Sequence, residues 1–386
     1  MQISFETMQH KILILSTSLG LGGADQQVIE LASNLIQRGH QVKILSMVPL
    51  GVMGLEAQSD GFDIATLNMS PGVPEPRVIP KLIHLINDWQ PHIIHSHMLH
   101  ANLLARIVRL FTRVPVIICT AHSVDESEGA RWRDIAYRFT DFLCDLTINT
   151  SKAGVERYIQ IKLVQRNKAR FIPNFVNTNK FNFDSELRSN IRSKLGLGDK
   201  FIWLAVGRFD PLKDYPNTIK AFAIVLKQNS NALLIIAGIG KLKSDIEELV
   251  KEIEIESNVR FLGARSDVVA LMNGADAYLK SSAWEGMPMV LLEAAATQLP
   301  IISTDVGGSK ETVLDGESGF LVPSKNPQAL AEAMLKMIAI PEVERLQMGQ
   351  KGREFVVANY STEEVVTQWE HLYCNLLEQR QIAASI

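Results

Sequence analysis

The stretch FIWLAVGRFDPLKDYPNTIKAFAIVLKQNSNALLIIAG (201–238) shows how the chain is built. Two short apolar runs, each closed by a glycine, enclose a longer segment of mixed polarity. Apolar strands bounded by glycine are typical of a parallel sheet that is buried on both faces. The stretch therefore predicts a strand, a loop, a helix and a second parallel strand.

The same alternation of an apolar run, a loop and a helical pattern occurs on both sides of this stretch. Such an alternation predicts parallel sheets with crossover helices. Further strand-like runs lie at 11–16, 41–47, 92–97, 114–122, 146–151, 258–263, 277–282, 300–305 and 319–323. We therefore predict an α/β fold made of two Rossmann-like, doubly wound domains.

The two series of runs join near Pro173. The first series predicts an N-terminal domain over residues 1–175, and the second predicts a C-terminal domain over residues 176–365. The final segment, 366–386, is predicted to be a helix that crosses back to the N-terminal domain. Apolar residues at helical spacing also predict a helix over 25–39, with a glycine at its C-terminal end.

Composition is that of a globular protein, since 46% of the 386 residues are hydrophobic and 21% are charged. The three cysteines lack C-x-x-C spacing, which argues against a disulfide framework or a structural zinc and fits a reducing cytosol. No apolar run approaches the ~18 residues of a membrane span, and the N-terminus lacks the layout of a signal peptide. We expect a cytoplasmic protein that starts at either Met1 or Met8.

The formal net charge of −3 is unevenly distributed. Residues 1–180 carry an excess of basic residues, concentrated in 101–170, whereas 181–386 carry an excess of acidic ones. A basic N-terminal half can attract anionic lipid head groups or a phosphate-bearing acceptor. We therefore expect peripheral contact with the inner face of the cytoplasmic membrane, the alternative being an ordinary solvated surface. The composition does not favour nucleic-acid binding.

Two glutamates, Glu285 and Glu293, stand in the block EGMPMVLLEAAA. Pro288 suits the first turn of a helix, because it has no amide hydrogen to lose there. The N–H groups of Met289 and Val290 would then lie at the positive end of the helix dipole, where an anionic diphosphate or sugar hydroxyls can bind. Pairs of glutamates are common, but a carboxylate on an otherwise apolar helix face is unfavourable unless it is satisfied. Glu293 is therefore predicted to hold a ribose diol.

Arg208 and Lys213 lie in VGRFDPLKDY, directly after the predicted strand 201–207. The carboxyl ends of strands are where open α/β sheets bind ligands. Two cations there would neutralise the charge that develops on a diphosphate leaving group. The alternative is a solvated loop with ordinary surface cations.

A glycine-rich loop, TSLGLGGADQQ, follows the first predicted strand. Gly22 and Gly23 would let the backbone approach a phosphate at the start of a helix. The loop is not the dinucleotide fingerprint G-x-G-x-x-G, because Asp25 occupies the position of the third glycine. A dehydrogenase is therefore disfavoured.

Four of these segments, VGRFDPLKDY, LLIIAGIGKLKSDIEELV, VRFLGARSDVVALM and the E-x7-E block, occur in this order at normal spacing. Together they resemble the retaining GT-B-fold glycosyltransferases of family 4. The likeness covers most of 11–370 and is most specific in 201–323. It implies sugar transfer from a nucleotide diphosphate donor in the cleft between the two domains, with the acceptor on the N-terminal domain.

The resemblance also implies a role for each matching residue. The donor diphosphate would be bound by Arg208 and Lys213 together with the loop at Gly22 and Gly23. Glu293 would bind the ribose, and the base would stack near Arg265. Glu285 would bind the transferring sugar and His122 would touch it, and the sugar pocket would be shaped by Gly286, Met287 and Pro288 beside Met289 and Val290.

The acceptor side is predicted from the N-terminal half. His97 closes the run HIIHSH, and the segment 125–139 resembles an acceptor-facing stretch in which Arg131 and Arg133 flank Trp132. These arginines could meet a lipid diphosphate or a membrane surface. The other histidines are taken as structural.

No D-x-D motif occurs in the sequence. Glycosyltransferases of the other major fold use that motif to hold a divalent metal, so we expect neither a metal nor another cofactor here. Two positions depart from the family pattern. Gln298 stands where a glycine usually ends the helix, which makes a left-handed turn less favourable, and Lys310 is inserted in GGSKE without an expected effect on catalysis.

The predicted function is transfer of a hexosyl residue from a nucleotide diphosphate sugar, with a UDP-sugar favoured, to a saccharide or lipid-linked saccharide in surface polysaccharide synthesis. No residue stands out as a covalent nucleophile, so the leaving phosphate would take the acceptor proton during same-face attack. Two alternatives stay open: a sugar-nucleotide epimerase on the same architecture, and a non-catalytic nucleotide-sugar-binding partner.

Overall fold

A computed structural model describes residues 9–73, 75–126 and 129–385, with side chains to residue 381. The choice between Met1 and Met8 lies outside these residues. The chain divides into two compact units: one contains the chain up to Asn174 together with Glu363 onward, and the other spans Phe175–Thr362. Each unit is built on one parallel sheet, so the prediction of two Rossmann-like α/β units is confirmed.

The sheet of the first unit has seven strands. They are β1 (Lys11–Ser16), β2 (Gln41–Ser46), β3 (Ile64–Thr66), β4 (Ile93–His97), β5 (Val116–Ala121), β6 (Leu146–Asn149) and β7 (Ala169–Phe171). Their order is β3-β2-β1-β4-β5-β6-β7, and every neighbouring pair is parallel. The order reverses direction between β1 and β4, and the carboxyl ends of strands at such a switch point are where doubly wound sheets bind ligands.

Helices connect these strands: α1 (Gly23–Gln37), α2 (Val52–Ser59), α3 (Val78–Trp89), α4 (Leu99–Val108), α5 (Arg131–Phe139) and α6 (Lys152–Gln160). Leu13 and Leu15 of β1 pack with Leu82 of α3 and Leu104 of α4 in one buried cluster. The chain leaves α1 through Gly39, whose φ of 92° is left-handed, so the predicted glycine at this helix end is confirmed.

The last helix, α15 (Thr362–Ser385), belongs almost entirely to the first unit. Its Tyr373 hydroxyl lies 2.7 Å from His95 Nδ1 in β4, and its Glu370 lies 3.0 Å from His40 Nε2. Both Tyr373 and Trp369 are buried. The C-terminal segment therefore completes the core of the first unit.

The second unit repeats the architecture with six strands. They are β8 (Phe201–Val206), β9 (Ala232–Ala237), β10 (Val259–Gly263), β11 (Ala277–Lys280), β12 (Ile301–Thr304) and β13 (Gly319–Val322). The order β10-β9-β8-β11-β12-β13 places the switch point between β8 and β11. These two strands are also joined by Tyr278, whose hydroxyl donates to the Val206 carbonyl at 3.1 Å.

Helices cover both faces of the second sheet: α7 (Ser185–Lys194), α8 (Tyr215–Leu226), α9 (Lys243–Glu252), α10 (Val268–Gly274), α11 (Met289–Ala296), α12 (Ser309–Thr312), α13 (Pro327–Ala339) and α14 (Glu342–Tyr360). Alternate residues of β8 point to opposite faces. Leu204 packs in the same cluster as Leu292 of α11, whereas Trp203 packs with Phe222 of α8. Among the described residues, no helix combines the length and the apolar character needed to cross a membrane.

Candidate functional site

The loop that follows β8 is fixed by hydrogen bonds to the loop that follows β11. The Asp210 side chain caps a 3-10 turn, Pro211–Lys213, because it accepts the backbone N–H of Lys213 at 3.3 Å. The Lys213 carbonyl accepts the Ser281 hydroxyl at 2.9 Å, and the Leu212 carbonyl accepts the Ala283 N–H at 2.8 Å. The backbone of Lys213 is thus held at the switch point of the second sheet.

Three side chains converge on one oxygen of Glu285. Lys213 Nζ donates to Glu285 Oε1 at 2.7 Å, Lys280 Nζ lies 2.8 Å from the same oxygen, and the Ser282 hydroxyl donates to it at 2.7 Å. Glu285 and Lys280 are both buried. The structure therefore brings together two predicted site residues, Lys213 and Glu285, and adds Lys280, which was not predicted. We call Lys213, Lys280 and Glu285 the lysine–glutamate cluster.

Burial and the neighbouring charges shift the pKa values of Glu285 and Lys280 in opposite directions. Burial raises the pKa of the Glu285 carboxyl, but Lys280 and Lys213 outweigh it and lower this pKa to about 2. Burial also lowers the pKa of the Lys280 ammonium to about 8, although the attraction of Glu285 opposes that shift. At neutral pH the cluster holds two ammonium groups and one carboxylate, so it carries a net positive charge.

The loop from Glu285 to Gly286 is clamped by the double glycine of GGSKE. The Gly308 N–H donates to the Gly286 carbonyl at 2.6 Å. Gly307 has a φ of 53°, and a Cβ at this position would lie 2.0 Å from the Glu285 carbonyl oxygen. Only glycine fits such a close approach in the left-handed region, so this turn fixes the backbone on which Glu285 sits.

Helix α11 begins at Met289, as predicted, and Pro288 lies just before it at the N-cap. Gly286, Met287, Pro288 and Met289 are buried. Glu293, one turn into the helix, is buried as well. The first amides of a helix have no partner four residues earlier, so the start of α11 offers N–H donors and the positive end of its dipole directly after the Glu285 loop.

The two other predicted cations of this unit differ in their surroundings. The Arg208 side chain is 70% exposed and lies 3.2 Å from Asp210. Arg265 is held by Asp267, to which Nε and a terminal nitrogen donate at 2.7 and 2.6 Å. Both bonds lie within one short loop, so the Arg265 guanidinium is already neutralised by its neighbour.

In the first unit, the Gly22 amide that was predicted to face a phosphate donates to a carboxylate of the same loop. Gly22 is the N-cap of α1, and its N–H donates to Asp25 Oδ2 at 3.0 Å. Asp25 is buried, and its other oxygen accepts the Ser18 hydroxyl at 3.1 Å. Gly23 opens the helix as predicted. The amide of Gly22 is therefore taken by the protein itself, because Asp25 lies three residues on in a capping-box arrangement.

His97 and His122 meet at the carboxyl ends of β4 and β5. His97 Nδ1 lies 3.0 Å from His122 Nε2, and the backbone N–H of His122 donates to Glu126 Oε1 at 2.7 Å. Burial lowers the pKa of His122 to about 4 and raises the pKa of Glu126 to about 8. Both imidazoles are thus neutral at physiological pH.

Three buried polar atoms of this group lack a hydrogen-bond partner within the described chain: His97 Nε2, His122 Nδ1 and Glu126 Oε2. Buried polar atoms are rarely left unpaired, which favours a ligand or water at this place. Glu126 was not predicted. His95, by contrast, is satisfied on both nitrogens by Tyr373 and Thr120 at 2.7 Å each, as expected of a structural histidine.

Arg131 and Arg133 lie at the start of α5. Arg131 is exposed, whereas Arg133 is half-buried with its guanidinium 5.7 Å from the centre of the Trp132 ring. In the ranges that the structure covers, no group of three or more histidine, cysteine or acidic side chains is arranged to hold a metal ion.

Two family models match this chain: Glycosyltransferase Family 4 over residues 21–180 and Glycosyl transferases group 1 over residues 188–355. The chain belongs to the group 1 glycosyltransferases, which have the GT-B fold. The family and the GT-B fold that the resemblance implied from the sequence are thereby confirmed.

Individual proteins agree with this assignment. The capsular polysaccharide biosynthesis glycosyltransferase CapM of Staphylococcus aureus is 26% identical over 310 residues, which cover 78% of this chain and 81% of CapM. The UDP-Gal:alpha-D-GlcNAc-diphosphoundecaprenol alpha-1,3-galactosyltransferase of Escherichia coli is 26% identical over 67% of this chain and 69% of that enzyme. The crystal structure of Anabaena HepE in complex with UDP superimposes with a TM-score of 0.85 at 20% identity, covering 95% of this chain and all of HepE.

Proposed function

We propose that this protein is a metal-independent hexosyltransferase of family 4 that moves a sugar from a UDP-sugar to a saccharide or lipid-linked saccharide, with retention at the anomeric carbon. The observation that carries the proposal is the lysine–glutamate cluster at the switch point of the second sheet. The cluster carries a net positive charge, and its Glu285 lies in the loop that leads into the N-terminus of α11. A nucleotide diphosphate is the ligand that such a pair of features suits.

In this proposal the phosphates of the donor interact with Lys213 and with Arg208, whose exposed side chain is free to turn toward them. Glu285 accepts hydroxyl groups of the hexose through the carboxylate oxygen that the lysines do not contact. Glu293 binds the ribose. The bond between the anomeric carbon and the diphosphate breaks, the acceptor oxygen bonds to the same face, and the leaving phosphate takes the acceptor proton.

The donor and acceptor classes are supported by relatives. The Escherichia coli relative is named for UDP-Gal and for an acceptor carried on diphosphoundecaprenol, and HepE was crystallised with UDP. A cytoplasmic enzyme that uses such substrates would need no metal if lysines and helix amides neutralise the diphosphate.

A thermal-shift screen of UDP-, GDP- and ADP-sugars tests the donor. Stabilisation by a UDP-sugar, without added divalent metal and in the presence of EDTA, is expected. The transfer assay then compares Lys213→Ala and Arg208→Ala with Lys220→Ala, a matched control on the exposed side of α8. Loss of one charge contact to the leaving group is expected to lower kcat by about 10² to 10³, with no change in the control.

The same assays separate the alternatives. Isomerised donor in the absence of any acceptor would indicate an epimerase, and donor binding without turnover would indicate a non-catalytic binding protein. Full activity of both Lys213→Ala and Arg208→Ala would refute the proposed mechanism. NMR of the product linkage decides between retention and inversion.

A further inference from the structure

Glu126 carries a carboxyl group that has no positive partner among the described residues. Its Oε1 accepts the backbone N–H of His122 at 2.7 Å, whereas its Oε2 is buried and has no hydrogen-bond partner there. A buried carboxylate without a neighbouring positive charge is unfavourable, and burial raises the pKa of Glu126 to about 8. The carboxyl is therefore protonated at neutral pH.

The hydrogen bonds of Glu126 also indicate where this proton lies. Because Oε1 already accepts an N–H, the proton lies on Oε2, and a protonated carboxyl has one O–H that can donate. Within the ranges that the structure describes, nothing accepts a hydrogen bond from Oε2. Glu126 therefore offers an unused, buried donor at the carboxyl end of β5.

The imidazoles of His97 and His122 add one donor and one acceptor to this group. His97 Nδ1 and His122 Nε2 lie 3.0 Å apart, so one neutral ring donates its proton to the other. Whichever ring donates, one of the two outer nitrogens carries a proton and the other carries a lone pair. These outer nitrogens, His97 Nε2 and His122 Nδ1, are buried and lack a partner in the described part of the chain.

A ligand that fits these groups is uncharged and carries hydroxyl groups. A hydroxyl both donates and accepts a hydrogen bond, so it suits a mixed set of donors and acceptors. A carboxylate or phosphate would instead bring a negative charge to buried groups that are all neutral, and such a charge is costly to bury.

We propose that Glu126 is a sugar-binding residue that acts in its protonated form and so favours uncharged hexoses over hexuronates. This inference rests on the proposed function for the statement that the ligand is a sugar. The sugar is either the hexose of the donor or a hexose of the acceptor, and two separate measurements distinguish these sources.

Calorimetric titration of the full-length protein with UDP, UDP-glucose and UDP-glucuronate tests the donor. Tighter binding of UDP-glucose than of UDP-glucuronate is expected if Glu126 contacts the hexose of the donor. Saturation-transfer NMR of the protein with UDP bound then compares methyl glucopyranoside with methyl glucuronopyranoside as probes of the acceptor. A preference for the uncharged sugar in either measurement identifies its source, and the absence of that preference in both would overturn the proposal.

Two substitutions of Glu126 separate a neutral donor from an ionised group. Glu126→Ala is expected to weaken binding of the preferred sugar about tenfold, because one hydrogen bond to the ligand is lost. Glu126→Gln should bind within about threefold of the wild type, since its amide keeps one acceptor for the His122 N–H and one donor for the ligand. Glu156→Ala, at an exposed position of α6, is the matched control and should bind normally.

The outcomes of these measurements are distinguishable. Normal sugar binding by Glu126→Ala, or a Glu126→Gln variant that binds as weakly as Glu126→Ala, would overturn the role of a protonated Glu126. UDP binding by each variant shows that it is folded, and the sugar preference of the wild type needs no variant at all. Failure of the wild type to bind UDP would count against the proposed function instead.

Discussion

Replacing Lys280 with methionine is expected to leave the fold intact while it weakens donor binding. Methionine matches the length of the lysine stem and suits a buried strand position. Lys280 lies among buried residues, and the pKa of its ammonium is lowered from 10.5 to about 8 despite the nearby Glu285 carboxylate. The charged form of this lysine is therefore less favourable in the folded protein than in the unfolded chain.

The pKa shift of Lys280 sets the size of the expected change in the free energy of unfolding. A change of one pKa unit corresponds to 1.36 kcal/mol, so the ammonium opposes folding by roughly 3 kcal/mol at neutral pH. Methionine removes that penalty, while Glu285 keeps its contacts with Lys213 and Ser282. The shifted pKa of Lys280 already includes the attraction of Glu285, so Lys280→Met should raise the free energy of unfolding, by up to about 3 kcal/mol.

Glu285→Gln is expected to behave differently. The pKa of this carboxyl is lowered from 4.5 to about 2, burial being outweighed by the two lysines. Its ionised form therefore contributes stability that is fully present above pH 4.5 and is lost as the pH falls through about 2. Removing the charge leaves two ammonium groups unneutralised, which destabilises the protein by about 3 to 5 kcal/mol at pH 7. Adding Lys280→Met to Glu285→Gln should recover a large part of that loss.

Urea unfolding of the four proteins at pH 7 measures these differences. Between pH 8 and 10.5 the unfolded chain holds the Lys280 proton that the folded protein has released, so this group makes the wild type more stable as the pH rises across that interval. Lys280→Met should lack this rise. UDP affinity of the wild type should fall as the pH rises through about 8, because the cluster loses one positive charge. The reasoning fails if Lys280→Met is as unstable as Glu285→Gln, or if the double variant is no more stable than Glu285→Gln.

Substitutions at three further positions have effects that the structure defines. Gln298 adopts a left-handed φ of 61° after α11, so Gln298→Gly should stabilise the protein by about 0.5 to 1 kcal/mol in urea unfolding, whereas Gln298→Ala should not. Gly307→Ala should raise the KM for the donor and destabilise the protein by about 2 kcal/mol or more, because the new Cβ would press on the Glu285 carbonyl; unchanged kinetics would show that this clamp is irrelevant. The pKa of Glu126 is raised to about 8 by burial, so the stability that its neutral form contributes is fully present below pH 4.5 and is lost as the pH rises through about 8. Glu126→Gln should therefore gain stability relative to the wild type between pH 6 and pH 8.5, measured as the difference between their urea midpoints, because the other titrating groups are the same in both proteins.

Most of the fold follows from simple patterns in the sequence. The predicted strands are apolar runs bounded by glycine or polar turns, because parallel strands are buried on both faces. Two strands were missed, β3 (Ile64–Thr66) and β7 (Ala169–Phe171). Each has three residues and lies at an edge of the first sheet. Because an edge strand needs fewer apolar residues, neither segment contains an apolar run that is long enough to predict a strand.

The site was predicted less completely than the fold. Lys280 was read as part of the strand AYLKSS, yet a lysine in an apolar strand must find a partner when it is buried, and Glu285 is only five residues further on. The pairing of Gly22 with Asp25 had a similar signal, since an acidic residue three positions after a helix N-cap often returns to cap it. Both features involve charges that the fold satisfies internally. Residue type and spacing alone do not distinguish such charges from those that await a ligand.

The meeting of His97 with His122 shows why the remaining contacts required the structure. The two histidines are 25 residues apart, and their contact depends on the register of β4 against β5, in which His97 pairs with Thr120. His122 stands two residues beyond Thr120, and side chains two apart along a strand point to the same side. A shift of one residue in that register would turn His122 away from His97. The sequence predicts that both histidines end strands, but strand pairing decides that they act as one group.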